Sequence, residues 1–254
     1  MSEEIVDHIR NNSQAPVFFV CEHASSFIPE CFNELGLVDP ARSSHIAWDP
    51  GAEAVTRILA DRFNAPAVIN RISRLVYDCN RPPDAIDAVP QKSEIFEVPG
   101  NKNLSGAQIT NRVENYYLPF KRTLEKAIEE HQVAPMLVTI HSFTPVYNGQ
   151  KRDVEIGLLH DDDSRVVDAM LNSIAGYQEF NIRRNEPYGP SDGVTHTIRL
   201  HGVEKGLLNV MIEVRNDLLT CHKDCTSIAD TLESLISAAL GQLAKDKTTK
   251  AVVL

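Results

Sequence analysis

The chain reads as a single α/β domain, a central sheet flanked by helices, and three observations predict this. Short apolar runs rich in β-branched and aromatic residues recur at 16–21, 67–70, 74–77, 136–140, 154–159 and 207–212, the composition of buried strands. Between them, apolar residues repeat at helical spacing: Val55, Ile58, Leu59 and Phe63; then Val113, Tyr116, Tyr117, Phe120, Leu124, Ala127 and Ile128; then Val166, Val167, Met170, Leu171 and Ile174; then Ile228, Leu232, Leu235, Ile236 and Leu243. The 254 residues hold no internal repeat and no linker, and one α/β domain of that size buries a sizeable core.

Taken in order, residues 1–15 are polar and unpatterned, a loose lead-in to a domain over 16–245, with a polar tail at 246–254. After the first strand comes a loop with Pro29, Gly36 and Pro40, then a helix opened by Asp49-Pro50-Gly51, where proline suits a first turn. Asp49 fits two roles there, helix N-cap or metal ligand. Two short strands lead into Asp78-Cys79-Asn80-Arg81-Pro82-Pro83, an extended turn forced by the paired prolines. Residues 84–105 have no period, and a loop so long in a compact domain is often functional or mobile. Pro119 sits inside the next helical stripe and predicts a kink or a restart. Asp161-Asp162-Asp163 precedes a helix and reads as N-terminal capping charge in preference to a metal site. The turn-rich stretch 185–190 reads as a lid or as an ordinary surface connection.

The formal net charge is −10 with no basic run or basic–aromatic interleaving, which argues against nucleic acid or an anionic membrane as partner. A small acidic substrate needs only one or two local arginines. Five cysteines without framework spacing read as reduced thiols of a cytoplasmic protein. No uncharged apolar run is long enough to span a bilayer. The oligomeric state is left open.

The chemistry gathers where apolar runs end. The first strand runs into Glu22-His23, the run at 136–140 into His141-Ser142-Phe143, and the run at 207–212 into Glu213-Val214-Arg215. In open α/β sheets the carboxyl ends of the strands are where ligands bind. A catalytic zinc site needs three nitrogen or carboxylate ligands, an open position for water, and a base beside it. The candidates are His23, Asp49, His141 and Glu213. Each also has a plain structural reading: a satisfied loop carbonyl, a helix cap, a rim hydrogen bond, or an ion pair with Arg215 or Arg199. A metal-free alternative would use Ser25 or Ser142 with a histidine, but no Gly-x-Ser-x-Gly elbow is present. Cys21 ends an apolar run, where a thiolate is costly.

Several of these segments resemble known families. Thr139-Ile140-His141-Ser142-Phe143 and Ile212-Glu213-Val214-Arg215 resemble two strand ends of the zinc carboxypeptidases. The closer resemblance is to the N-formylglutamate amidohydrolase family, related to those peptidases. It is carried by Cys21-Glu22-His23-Ala24-Ser25, by the stretch from His45 to Ala52, by Asp78-Cys79-Asn80-Arg81-Pro82-Pro83 and by the His141 segment, over about residues 16–217. The resemblance implies a phosphorylase/hydrolase-like (zinc-carboxypeptidase-like) α/β fold with a mixed central sheet. It also implies zinc-dependent hydrolysis of the amide bond of an N-acyl amino acid such as N-formylglutamate. On it, one Zn2+ per chain is held by His23, Asp49 and His141, Glu213 is the general base, and Asn80 and Arg81 hold a substrate carboxylate. His196, His201 and Tyr188 are candidates to complete the pocket, with His196 preferred. One departure is plain: the peptidases' His-x-x-Glu ligand pair has no counterpart after the first strand, and His201-Gly202-Val203-Glu204 follows His141, out of order. A carboxypeptidase-like peptidase and a non-catalytic binder of acidic amides are the alternatives on the same fold, and Glu213 in the base position favours an enzyme.

Overall fold

The structure, a computed structural model, describes residues 5–174 and 179–252, the side chains of 247–252 excepted. Seven strands form the main sheet: β1 (Val6–Ile9), β2 (Val17–Cys21), β3 (Ala67–Asn70), β4 (Met136–Phe143), β5 (Ile156–Leu159), β6 (Ile182–Arg184) and β7 (Asn209–Arg215). They lie in the order β1-β3-β2-β4-β7-β5-β6. The four central strands β3, β2, β4 and β7 are parallel, whereas β1 runs antiparallel to β3 and β5 antiparallel to β7. The expected class is therefore found: one α/β domain on a mixed sheet.

Alternation along each strand divides the core. Val17, Phe19, Met136, Val138, Ile140, Val210, Ile212 and Val214 face a main core with α1 (Ala52–Arg62), α4 (Arg165–Ser173) and α6 (His222–Val252). Phe18, Val20 and Leu137 face the other way, against Phe120 and Leu124. Those two belong to α3 (Leu118–Glu129), which follows α2 (Gly106–Arg112). His141 has the parity of Leu137, and Glu213 opposes it in register. Side chains two apart share a face, so both polar residues emerge on the side away from the main core. The six strand residues from Asn209 to Val214 are nonetheless all buried.

Several elements differ from the sequence reading. The lead-in contains β1, an edge strand paired with β3 from Val6↔Asn70 to Ile9↔Ala67; residues 1–4 lie outside the described residues. The run at 74–77 is a turn, not a strand: Ser73 Oγ donates to the Ala47 carbonyl and accepts from Leu75 N, and the Val76 and Tyr77 amides return to the Ser73 carbonyl. A side chain that offers the backbone local bonds competes with sheet pairing. The 84–105 stretch carries a small hairpin, Lys92–Ser93 with Phe96–Glu97. Before Pro119 the helix passes through a π turn at Val113–Tyr117 and restarts as α3. Strand β6 and the short α5 (His196–His201) had no periodic signal. α6 continues through the expected polar tail to Val252.

Candidate active site

Parallel neighbours β2, β4 and β7 end on the same edge of the sheet, so the three apolar runs singled out in the sequence deliver their terminal residues to one place. His23 follows β2, His141 lies within β4, and Glu213 lies beside it on β7. Asp49 arrives from the loop before α1, tied by its amide to the His23 carbonyl at 2.8 Å. Its side chain does not cap the helix. The N-cap is Gly51, in the left-handed region at φ 82°, and Asp49 Oδ2 turns inward to accept from Ser142 N at 3.2 Å.

His23, Asp49 and His141 are all buried and form a group able to hold a metal ion. His141 Nδ1 is 3.0 Å from Asp49 Oδ2 and 3.2 Å from His23 Nδ1, and His23 Nδ1 is 3.3 Å from the same carboxylate oxygen. Tetrahedral bonds of ~2.0–2.1 Å set neighbouring ligand atoms about 3.3 Å apart, so this triangle has the dimensions of one ligand face. The far nitrogens point at carboxylates. His23 Nε2 lies 2.7 Å from Asp78 Oδ1, and His141 Nε2 lies 3.1 Å from Glu22 Oε2. The second contact has ion-pair distance but poor alignment, and neither Glu22 oxygen has a well-formed hydrogen bond among the described residues. A carboxylate can only accept, so Asp78 keeps a proton on His23 Nε2, the Glu22 charge favours one on His141 Nε2, and Nδ1 of each ring faces the cavity.

The charges are interlocked. Arg74 spans two carboxylates, with Nη1 3.3 Å from Asp49 Oδ1 and Nη2 3.1 Å from Asp78 Oδ2. The turn at 73–77 brings Arg74 and Asp78 within reach of each other. Burial would raise the Asp49 and Asp78 carboxyls, but His23, with His141 for Asp49 and Arg74 for Asp78, holds both below their usual range. Burial would lower His141, yet Glu22 and Asp49 raise it well above its ordinary value. For His23, burial and Arg74 act downward, and Asp78 and Asp49 outweigh them. Glu213 differs from the other acids. Burial pushes its carboxyl up to about 7, and Oε2 has no hydrogen-bond partner among the described residues.

A cavity of about 190 Å³ opens over these residues, walled by Arg74, Arg81, Phe143, Tyr147 and Tyr188 among others. Arg81 and Asn80 both line it, but each is partly committed to the main chain. Arg81 Nε donates to Asp87 at 2.7 Å and its Nη1 to the Gly193 and Asn80 carbonyls. The Asn80 amide donates to the Val194 carbonyl at 2.5 Å and accepts from Thr197 N at 2.9 Å. It seats the 193–197 segment and has little left for a ligand. His196 is not on the cavity wall: its Nε2 is 2.8 Å from Tyr117 Oη, a partly buried pairing. His201 is likewise absent from the wall. Tyr188, from the same set of candidates, is on it.

The nucleophiles of a metal-free mechanism are occupied elsewhere. Ser142 Oγ donates to the Pro50 carbonyl at 2.8 Å, and Ser25 Oγ accepts from Phe27 N. Cys21 is fully buried, and burial pushes its thiol well up. The acidic cluster does not supply the expected N-cap, which is Ser164; Asp163 Oδ1 instead accepts from Arg165 N in the first turn at 3.1 Å. Sequence reasoning missed Glu22, Asp78 and Arg74. The first two sit inside quoted motifs, but only the fold shows that they face histidine nitrogens.

A comparison with curated proteins returns no match. Among solved structures, the chain is similar to the Atu2144 gene product of Agrobacterium tumefaciens, with 49% identity over 95% of this chain and 96% of that one, at a TM-score of 0.92. It shares its fold with the N-formylglutamate amidohydrolase of Ralstonia eutropha JMP134, at 18% identity over 95% and 98% of the two chains and a TM-score of 0.62. The sequence model of the N-formylglutamate amidohydrolase family matches residues 15–220. Most of the chain, including every residue of the cavity, falls within that match, and the protein belongs to the N-formylglutamate amidohydrolase family.

Proposed function

We propose that the protein is a zinc-dependent amidohydrolase that cleaves the amide bond of an N-acyl amino acid of the N-formylglutamate type. The observation that carries this is Glu213, a buried carboxyl raised to about 7, with no partner for Oε2 among the described residues, and in register with His141 of the metal-competent group. A general base works best when its pKa lies near the operating pH. Two imidazoles and one carboxylate on a triangle of 3.0–3.3 Å suit zinc, which favours nitrogen donors and four-fold coordination. Bound there, the ion would lower the pKa of a water and polarise the acyl carbonyl.

The chain's own residues supply the rest. Glu213 takes the proton of the attacking water and returns it to the departing amino nitrogen. Asp78 and Glu22 hold the two histidines with Nδ1 inward, and Arg74 holds Asp49 against Asp78. Arg81 presents Nη2, the guanidinium nitrogen not spent on Asp87, Asn80 and Gly193, to a substrate carboxylate. That is one charge-assisted contact and not a two-pronged clamp.

Purified protein stripped with a chelator and reloaded with Zn2+ should hydrolyse N-formyl-L-glutamate only in the reloaded form. Turnover that survives complete metal removal would sink the metal-dependent reading.

A further inference from the structure

Tyr188 is the member of the three pocket-completing candidates that lines the cavity. The segment bearing it is pressed onto β5: Asn185 N donates to the Leu158 carbonyl at 3.1 Å, and a Cβ added at Gly157 would lie 2.0 Å from the Glu186 carbonyl oxygen. The bare glycine lets the two backbones approach, and the ring then packs against Met211, Leu159 and Ile198. Met211 lies two residues before Glu213 on β7 and so on the same face. Tyr188 therefore stands over the wall that carries the proposed base.

Its hydroxyl is oriented from behind. Arg152 Nη1 donates to Tyr188 Oη at 2.9 Å, while the guanidinium carbon sits 4.8 Å from the centre of the Tyr188 ring, 4.5 Å from that of Tyr147 and 5.6 Å from that of Phe143. Arg152 is held by its main chain, its amide donating to the Pro145 carbonyl and its carbonyl accepting from Arg215. Guanidinium has no acceptor to offer in return, so the phenolic proton is turned away from Arg152. Tyr188 lines the cavity and Arg152 does not, so the proton is available to an acceptor in the cavity. There Tyr188 and Glu213 both line the wall, a phenolic donor beside a carboxyl acceptor, and an amide undergoing attack by water offers the complement of both.

We infer that Tyr188 Oη–H donates to the oxygen of the scissile acyl group as negative charge develops on it, with Arg152 as the residue that positions it. The inference rests on the amidohydrolase reading and adds a residue to it. Burial and the Glu213 carboxylate push the Tyr188 phenol up to about 12, so the donor form persists through the neutral range and no proton leaves it during the reaction.

The test uses the full chain loaded with Zn2+. Tyr188→Phe keeps the ring over Arg152 and Met211 and removes only the donor. With N-formyl-L-glutamate it should lower kcat roughly 10- to 100-fold with KM within about threefold, since a contact made mainly in the transition state is lost. Arg152→Met should lower kcat less. The double variant should be no slower than Tyr188→Phe alone, because Arg152 acts through the hydroxyl; a purely structural Arg152 would add its own loss. Formate binding by calorimetry is a second arm that needs no turnover, and Tyr188→Phe should weaken it about tenfold or more. An unchanged kcat in Tyr188→Phe, or additive losses in the double variant, overturns the proposal. Should wild type turn over no N-acyl amino acid, the amidohydrolase reading falls and formate alone decides: binding to wild type no better than to Tyr188→Phe overturns the role of Tyr188, and tighter binding sustains its donor.

Discussion

Asp78 Oδ1 stands 2.7 Å from His23 Nε2 while the other nitrogen of the same ring faces Asp49. The carboxylate fixes both the tautomer and the ring plane of a proposed ligand, and such outer partners typically contribute 10–100-fold to metal affinity. Asp78→Asn removes the charge with little change of shape. Its zinc affinity, measured by competition with a chromogenic chelator, should fall within roughly that range. Wild-type affinity in both Asp78→Asn and Asp78→Ala would show that the pairing is only structural.

Ligand and base are separable by substitution. His141→Ala should lose most of its bound zinc while the circular dichroism of the fold survives. Glu213→Gln should keep zinc and lose turnover by roughly two to four orders of magnitude. Elemental analysis beside kcat for the two variants checks both. Full zinc in His141→Ala, or near-normal turnover in Glu213→Gln, assigns those roles elsewhere.

Metal affinity should depend on pH in a direction set by the histidines. Burial opposes a proton on His141, but Glu22 and Asp49 prevail and hold its pKa well above the ordinary 6.5; Asp78 and Asp49 likewise raise His23. In the metal-free protein these rings therefore retain protons at pH values where a free imidazole has lost them. Zinc must displace those protons. Its affinity should go on climbing as pH rises above 6.5 and level off only beyond the raised values. Calorimetry in buffers of differing ionisation enthalpy should show protons released at neutral pH. A plateau beginning near pH 6.5 with no proton release would contradict the assigned environment.

Substrate choice turns on Arg81. A lost charge-assisted contact costs about 1.5–3 kcal/mol, so Arg81→Ala should lose roughly one to two powers of ten in kcat/KM toward N-formyl-L-glutamate. The same variant should lose far less toward an analogue whose α-carboxylate is capped as an amide. Because the guanidinium also ties Asp87 through Nε and the Asn80 and Gly193 carbonyls through Nη1, Arg81→Ala should also loosen the 193–197 segment, and its Tm is the control. Equal discrimination in wild type and variant would move the carboxylate site to Arg74, the other arginine on the cavity wall.

Strand composition and helical spacing are local properties, and they are legible in the chain. The runs at 16–21, 67–70, 136–140 and 207–212 become β2, β3, β4 and β7, because continuous β-branched and aromatic stretches suit only a strand buried on both faces. The restart at Pro119 is equally local, since proline removes a helical donor wherever it stands. His23, Asp49 and His141 stand out as a group because each closes an apolar run or opens a helix.

What the tertiary structure decided is everything that depends on which strands are neighbours. Nothing in the order of the chain states that β2, β4 and β7, more than a hundred residues apart at the extremes, lie side by side and parallel. That arrangement brings Glu22 to His141 and Glu213 alongside. The run at 74–77 looks like a strand by composition and becomes a turn, because Ser73 bonds to the Ala47 carbonyl across the loop; that long-range contact places Arg74 and Asp78 against the histidines. Tyr188 and Arg152 meet only through the packing of β5 against the segment after β6, and His196, equally plausible by residue type, is turned to Tyr117 by the seating of α5. Residue type determines what a side chain can do, and long-range packing determines whether it faces the cavity in which to do it.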